Sequence, residues 1–216
     1  MSDQPKIECA KNGPLLATGL PRLERLDGTQ FETKKVTALC RCGKSAVKPF
    51  CDGAHSRTGF DDAKGDGLPA DEQVSYTGQG IMLHDNRRVC AHAGFCTERL
   101  PTVFRQKEEP WIDADGASVE DIIALVRACP SGALSYTIDG VEHRDNEDAA
   151  QAVKVVPGGP YVVQGGVDLA GVEFGQGASR EHFDLCRCGA SKNKPFCDGA
   201  HWYENFDADV PREPRA

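Results

Sequence analysis

The longest hydrophobic pattern lies in the middle of the chain, where apolar residues recur at helical spacing between residues 122 and 129. Ser118 precedes them as a helix N-cap, with Asp121 three residues further on. Pro130 ends the predicted helix, because proline cannot continue its hydrogen bonds. Apolar runs predict a strand on either side of the helix, at 110–113 and 133–138. This part of the chain therefore has the pattern of a compact α+β module.

The sequence on both sides of this module has only short apolar runs, separated by glycine and proline. They predict strands at 15–17, at 161–163 and around Val167 and Leu169. With 7% aromatic residues, 23 glycines and 13 prolines, the 216 residues are poor material for one large core. We therefore expect small modules stabilised by bound metal.

The stretch from Cys40 to His55 carries metal-ligand chemistry. Cys40 and Cys42 are separated by a single residue, which suits two thiolates on one iron and is awkward for a disulfide. Cys51 and His55 lie four residues apart and would share one face of a short helical turn, where they could hold a second iron. A zinc ion with three cysteines and one histidine uses the same residue types, although zinc sites favour Cys-x2-Cys.

The same ligand spacing returns later in the chain at a constant offset of 146 residues from Cys40, in Cys186, Cys188, Cys197 and His201. The offset also matches residues outside the motif without a gap: Gly13-Pro14 with Gly159-Pro160, Gly19 with Gly165, Leu39 with Leu185, Ser45 with Ser191, and Phe60-Asp61 with Phe206-Asp207. The chain therefore contains an internal duplication, with a third segment between the copies. We predict three domains, with the boundaries 1–63, 64–140 and 141–216.

Both copies resemble the CDGSH iron–sulfur family, whose pattern is Cys-x-Cys, a Ser or Thr three residues on, and then Pro-x-Cys-Asp-Gly-x-His. Every element is present between Cys40 and His55, with Ala54 where the family has serine. The resemblance implies that each copy binds a [2Fe–2S] cluster through its three cysteines and one histidine. Family members with one motif are typically dimers. The resemblance therefore also implies an α+β fold in which the two β-rich copies form a pseudo-twofold pair inside one chain, which would be a monomer. The α+β module would be inserted between the two copies.

The middle module has a third set of cysteines, Cys90, Cys96 and Cys129, with a proline after the last. A single-cluster ferredoxin has Cys-x2-Cys-x2-Cys followed at long range by Cys-Pro, and here Ala93 occupies the place of the second cysteine. Three thiolates suffice for a [3Fe–4S] cluster, whereas a [4Fe–4S] cluster needs another ligand. His92 is a candidate for that ligand but lies one residue short of the usual place, which favours a supporting or a surface histidine.

These residues, with the segments Pro-Trp-Ile-Asp and Cys-Pro-Ser-Gly-Ala-Leu, resemble the divergent mono-cluster ferredoxin domain of bacteria over most of residues 76–138. That family is usually labelled [4Fe–4S], so the label and the three cysteines disagree. We expect [3Fe–4S], because the ligands can be counted. The tenth cysteine, Cys9, corresponds to Val155 in the repeat and is predicted to be a small apolar residue and not a ligand.

Charge and composition exclude several classes of function. A formal charge of −8 argues against a nucleic-acid partner and suits a surface that meets a basic protein, although ordinary solubility explains the charge equally well. The longest apolar run, 122–126, is far below the ~20 residues needed to span a bilayer. The first residues also lack the apolar core of a signal peptide. We therefore expect a cytoplasmic protein without a membrane anchor.

The leading functional hypothesis is a small electron carrier that works with redox protein partners, a reductase or an acceptor. Three clusters would account for nine of the ten cysteines, and the sequence has no separate catalytic constellation, so we do not expect an enzyme. The first alternative is cluster storage, cluster transfer or redox sensing, since a single histidine ligand makes a [2Fe–2S] cluster easier to lose. The second alternative is a structural metal protein that serves as an interaction module.

Overall fold

The computed structural model describes residues 4–146 and 148–206. Its strands are β1 Lys6–Cys9, β2 Leu15–Thr18, β3 Leu23–Arg25, β4 Val36–Leu39, β5 Val74–Thr77, β6 Met82–Asp85, β7 Leu134–Ile138, β8 Val141–His143, β9 Ala152–Val155, β10 Tyr161–Gln164, β11 Asp168–Ala170 and β12 Phe183–Leu185. Its helices are α1 Ala54–Arg57, α2 Phe95–Arg99, α3 Val119–Arg127 and the 3-10 helix Ala200–Trp202. Within the described ranges, none of the helices has the length and apolar character needed to cross a bilayer. The repeat position Asp207 and the end of the third predicted domain, 207–216, lie outside the described residues.

The two copies of the repeat are joined by exchanged strands. One sheet has the order β11-β1-β2-β4 and another the order β12-β10-β9-β3, so each contains three strands of one copy and one strand of the other. β1 pairs in parallel with β11, with Lys6 opposite Asp168, and β3 pairs in parallel with β9, with Leu23 opposite Val153. At the offset of the repeat, β1 corresponds to β9 and β3 corresponds to β11, so the exchange is reciprocal. The predicted pseudo-twofold pair of β-rich copies is confirmed.

A single hydrophobic core joins these two sheets. Side chains alternate between the two faces of a strand, and β2 and β10 accordingly alternate between buried and half-buried residues. Both copies contribute fully buried side chains, among them Ile7, Leu15, Leu23, Tyr161, Phe183 and Leu185. Cys9 packs against this core, as predicted for an apolar role. Since each copy has too few large apolar residues for a core of its own, the two copies depend on each other.

The central module is an antiparallel sheet of order β5-β6-β7-β8 with α3 packed against it. The helix begins as the sequence predicts, because Ser118 Oγ accepts a hydrogen bond of 3.2 Å from the backbone N–H of Asp121. The core of the module combines helix and sheet side chains, including Ile122, Leu125, Val126, Leu83 and Tyr136. Cys129 lies just beyond the end of α3. The predicted α+β character of this module is confirmed.

The predicted strand at 110–113 is wrong. Only Ile112 forms an antiparallel bridge, and its partner, Phe104, lies in an irregular loop outside the named strands. Pro110 has no N–H to donate to a strand ladder. Ile112 is nevertheless 1% exposed, so burial of one side chain explains the apolar pattern that had predicted a strand.

Replacing Leu23 with alanine tests the shared core. Leu23 is 1% exposed and lies on an exchanged strand, so L23A should leave a cavity and destabilise the protein by about 2–5 kcal/mol. L26A is the control, because Leu26 is 60% exposed and its replacement should change stability by less than about 0.5 kcal/mol. Chemical denaturation of the metal-loaded protein, followed by circular dichroism, measures both. Equal midpoints for L23A and wild type would contradict a core that depends on exchanged strands.

Candidate metal centres

The first ligand pair of the first copy lies directly after β4. Cys40 follows the last residue of the strand, and its Sγ lies 3.7 Å from Sγ of Cys42. Two thiolates on one tetrahedral metal, each about 2.3 Å from it, lie about 3.8 Å apart. The backbone therefore already holds this pair at metal-binding distance.

The second ligand pair is tied to the same strand. Cys51 donates its backbone N–H to the carbonyl of Ala38 on β4, at 2.9 Å. Its Sγ lies 3.4 Å from Nδ1 of His55, which is carried by α1. Both pairs of the first copy are thus fixed to the end of β4, and the structure brings the four predicted ligands together.

The Asp-Gly step between Cys51 and the helix shapes this loop. Asp52 accepts hydrogen bonds from the backbone N–H groups of Ala46, at 2.9 Å, and Ala54, at 3.0 Å. Gly53 has φ 82°, a left-handed conformation that favours glycine. Its N–H lies 3.4 Å from Sγ of Cys51 and points toward the sulfur. These two residues therefore set the direction in which α1 presents its histidine.

The second copy repeats this geometry after β12. Sγ of Cys186 lies 3.8 Å from Sγ of Cys188, and Sγ of Cys197 lies 3.4 Å from Nδ1 of His201. Gly199 precedes the 3-10 helix with φ 81°. The predicted ligands of the second copy therefore also form two pairs.

The pairs in each copy fit a group that contains two metal atoms. Among residues 4–146 and 148–206, no three or more His, Cys, Asp or Glu side chains lie close enough to hold one metal ion. Two pairs, each at the spacing of two ligands on one metal, fit an iron–sulfur group.

Burial of the second set opposes ionisation of its thiols. The hydrogen bond between Cys186 and Cys188, together with burial, raises the pKa of the Cys186 thiol well above its usual range. The same hydrogen bond lowers the pKa of Cys188 to about 7. Burial raises the pKa of Cys197 well above its usual range. Because metal ligands must be thiolates, a bound cation has to compensate for this burial, and metal binding is thereby coupled to folding.

An arginine between the first two cysteines fastens the ligand loop to the strands of its own copy. Arg41 donates to the carbonyl of Gly13 at 2.7 Å and to Asp62 at 2.9 Å. Burial alone would raise the pKa of Asp62, but hydrogen bonds from Lys11, a backbone N–H and Arg41 outweigh it and lower that pKa to about 2. The carboxylate therefore stays charged and keeps the arginine in position.

The second copy has the same brace. Arg187 donates to the carbonyls of Gly159, at 2.9 Å, and Val156, at 2.8 Å. The sequence analysis missed both arginines as supporting residues. Their signal was the gapless match of Gly13 with Gly159, since these glycines supply the carbonyls that the arginines bind.

One hydrogen-bonding group crosses from the second copy into the ligand loop of the first. Tyr161 on β10 is fully buried, and its hydroxyl lies 2.8 Å from the carbonyl oxygen of Cys40 and 2.9 Å from that of Pro49. The first copy has Leu15 at the equivalent position. Because leucine has no hydroxyl group, it cannot donate a hydrogen bond to the ligand loop of the second copy. The sequence analysis predicted Tyr161 only as a strand residue.

The three cysteines of the central module converge on one cavity of about 740 Å³. Cys90 lies in the loop after β6, Cys96 lies on α2, and Cys129 follows α3. Burial raises the pKa of the Cys90 thiol to about 12, and it also raises the pKa values of Cys96 and Cys129. Soft, buried sulfur donors around one space fit an iron–sulfur group.

Other residues line the same cavity, including Ala93 and His92. His92 is exposed, its backbone N–H lies 3.4 Å from Sγ of Cys90, and its Nδ1 lies 3.4 Å from the guanidinium of Arg87.

Asp85, which also lines this cavity, was missed by the sequence analysis. Burial raises its pKa to about 6 despite the attraction of Arg87, and its place at the end of β6 gave no signal of this environment.

Two family models match the chain. One, described as an iron-binding zinc finger of CDGSH type, matches residues 12–56 and 158–202, and the other, described as a divergent 4Fe-4S mono-cluster, matches residues 76–139. The chain is 38% identical over 61 residues to the uncharacterized protein YjdI of Escherichia coli strain K12, and equally to that of Escherichia coli O157:H7. The aligned part is 28% of this chain and 80% of those proteins. No solved structure matches the chain.

The fold and its ligand sets define an iron–sulfur-binding protein, because paired thiolates and histidines in the outer copies and three cysteines around the central cavity agree with both family models. The chain belongs to the CDGSH iron-binding family, in a form that carries two copies around a divergent mono-cluster ferredoxin domain.

Replacing Tyr161 with phenylalanine tests the bond between the copies. Y161F removes a buried donor from two carbonyls of the first ligand loop, so it should destabilise the protein by about 1–3 kcal/mol. Y203F is the control, because Tyr203 is 88% exposed and its replacement should change little. Thermal unfolding of the loaded protein, followed by circular dichroism and visible absorbance, compares the two variants. A Y161F midpoint equal to that of Y203F would show that the hydroxyl does not support the loop.

Proposed function

We propose that this protein is an electron carrier that holds a [2Fe–2S] cluster in each outer copy and a further cluster in the central module. The observation that supports it most directly is the pairing of the outer ligands, Cys40 with Cys42 at 3.7 Å and Cys51 with His55 at 3.4 Å. A [2Fe–2S] cluster takes two protein ligands on each of its irons, and when bound it supplies one-electron chemistry. The protein's own residues position these ligands, at the end of β4 and on α1 in the first copy.

The histidine ligands affect the redox potential of the outer sites, and the acidic surface affects which partner proteins can bind. Neutral imidazole in place of a thiolate removes a negative charge, so the outer sites should have higher potentials than all-cysteine sites of the same cluster type. A formal charge of −8 suits a basic redox protein, either a reductase or an acceptor. We further propose a cytoplasmic monomer with no enzymatic reaction of its own.

For the central cavity we propose a [3Fe–4S] cluster. Three cysteines line it, and Ala93 stands where a ferredoxin has another cysteine. The name of the matching family model points instead to [4Fe–4S], which would need a fourth ligand such as His92. The two alternatives differ by one iron atom and can be separated by counting.

A second candidate function is storage or transfer of clusters. It is favoured by the partial exposure of Cys51 and His55 in the first copy, since an accessible histidine ligand can be protonated and displaced. In this function the protein would give up a cluster instead of an electron.

Iron content and electron paramagnetic resonance test the cluster types. Anaerobically isolated protein should contain about seven iron atoms per chain, or about eight if the central cluster is [4Fe–4S]. Only an oxidised [3Fe–4S] cluster should give a signal in the oxidised protein. C129S should abolish that signal, whereas C9S, outside the three ligand sets, should leave the signal and the iron content unchanged. A silent oxidised protein with about eight irons would contradict [3Fe–4S], and zinc in place of iron would contradict all three assignments.

Redox cycling separates the carrier from the cluster donor. A reductase should reduce the protein repeatedly with its iron retained, and the rate should fall as salt is added, because screening weakens the attraction of the acidic surface. Stopped-flow absorbance measures the rate, and iron analysis after each cycle measures retention. Iron loss to an apo-acceptor as fast as electron exchange would favour storage or transfer.

A further inference from the structure

The central module contacts the second ligand loop at Gly199, and among the described residues the first loop has no such contact at the equivalent Gly53. A Cβ atom at Gly199 would lie 3.0 Å from Cβ of His92 and 3.2 Å from the carbonyl oxygen of Ala91, both in the central module. At the counterpart Gly53, a Cβ atom would meet no described atom within 4 Å. The two glycines have φ 81° and 82°, so they share a backbone conformation and differ in their surroundings.

Residues that differ between the copies take part in this contact. Asn193 is 3% exposed, and its side chain donates a hydrogen bond of 2.8 Å to the carbonyl of Arg88 in the central module. The first copy has Val47 at this position, with 53% exposure. The segment that leads into the central module also follows the second loop, because Gly65 donates its N–H to the carbonyl of Lys192 at 2.8 Å.

The Cys–His ligand pairs of the two copies also differ in exposure. Cys197 is buried and His201 is 4% exposed, with the ring of Trp202 centred 5.0 Å from the histidine ring. Cys51 and His55, which have the same place in the first copy, are only half-buried. The Cys–His pair is therefore half-buried in the first copy and covered in the second, whereas in the Cys-x-Cys pair Cys188 is more exposed than Cys42.

We propose that the central module shields the ligand loop of the second copy, so that the two outer sites exchange metal at different rates. Opening the second loop at its Cys–His pair must break the contacts of Gly199 and Asn193 with the central module. Within the described part of the chain the first loop has no counterpart of these two contacts, and the hydroxyl of Tyr161 holds it at Cys40 and Pro49 instead. The free energy of local opening governs how often a reagent from solution reaches the ligands. The first copy is the exchangeable site and the second copy is the retained site. This inference rests on the proposed [2Fe–2S] content of both copies.

Release of iron from the loaded protein to EDTA at neutral pH tests the proposal. Visible absorbance should fall in two phases of equal amplitude for the outer sites, with the slower at least about tenfold slower. H55C and H201C assign the phases, because a cysteine ligand should slow release from its own copy only. The paramagnetic signal of the central cluster reports its loss separately.

N193V and V47N form a matched pair, since each gives one copy the residue of the other. N193V removes the hydrogen bond to Arg88 and should speed the slow phase about fivefold, which corresponds to one hydrogen bond. V47N should leave both phases unchanged. Hydrogen exchange of the backbone amides gives a readout that does not depend on iron release: 197–202 should exchange more slowly than 51–56 in the wild type, and N193V should reduce this difference.

A single phase for both outer sites would overturn the shield, as would a slow phase that H55C alters and H201C does not. N193V protein with the release rates and amide exchange of the wild type would also overturn it. Failure of the electron-carrier proposal looks different. If the protein retains its iron through redox cycles but releases it to EDTA in one phase, the electron-carrier proposal stands and the shielding proposal fails. If iron release shows two phases but the protein cannot be cycled, the shielding proposal stands and the electron-carrier proposal fails.

Discussion

The reciprocal exchange of strands between the two copies is the constraint on which the rest of the structure depends. Neither outer sheet is complete without a strand of the other copy. The shared core holds Leu39 and Leu185 at 0% exposure, and each of these residues directly precedes the first cysteine of its ligand set. Because interiors are closely packed and transmit strain, the packing that positions one set of ligands also positions the other. The hydroxyl of Tyr161 extends this dependence into the first ligand loop itself.

The sequence allowed prediction of features whose cause is local. Ligand pairs two and four residues apart, the cap at Ser118 and the helix after it all follow from spacing and residue type. The strand exchange could not be predicted, because strands of three or four residues carry too little pattern to select a partner as distant as Asp168 is from Lys6. The error at 110–113 has a related cause, since Ile112 is buried by the core of its module without belonging to a strand. The docking of the central module on one copy also depends on contacts that are distant in sequence.

The copies have diverged where their neighbours differ. The ligands, the arginine braces and the Asp-Gly steps are the same in both, whereas Asn193 meets the central module at the place where Val47 meets solvent. Asp184 occupies the position of Ala38, and burial raises its pKa to about 8. Burial thus disfavours the charged form of this carboxyl group, whose backbone carbonyl accepts the N–H of Cys197. Duplication therefore preserved the metal chemistry of the two sites and changed what surrounds them.

Strand exchange also imposes an order on the synthesis of the chain. β1 is made early, but its partner β11 begins only at Asp168, and until then one edge of β1 has no strand to pair with. Pairing over such a separation is slow, because the entropy of closing a long loop is lost before the contacts form. The four ligands of the first copy are complete once His55 has been made, yet the core beneath them requires the second copy. Assembly of the first metal centre therefore belongs to the finished chain and not to the nascent one.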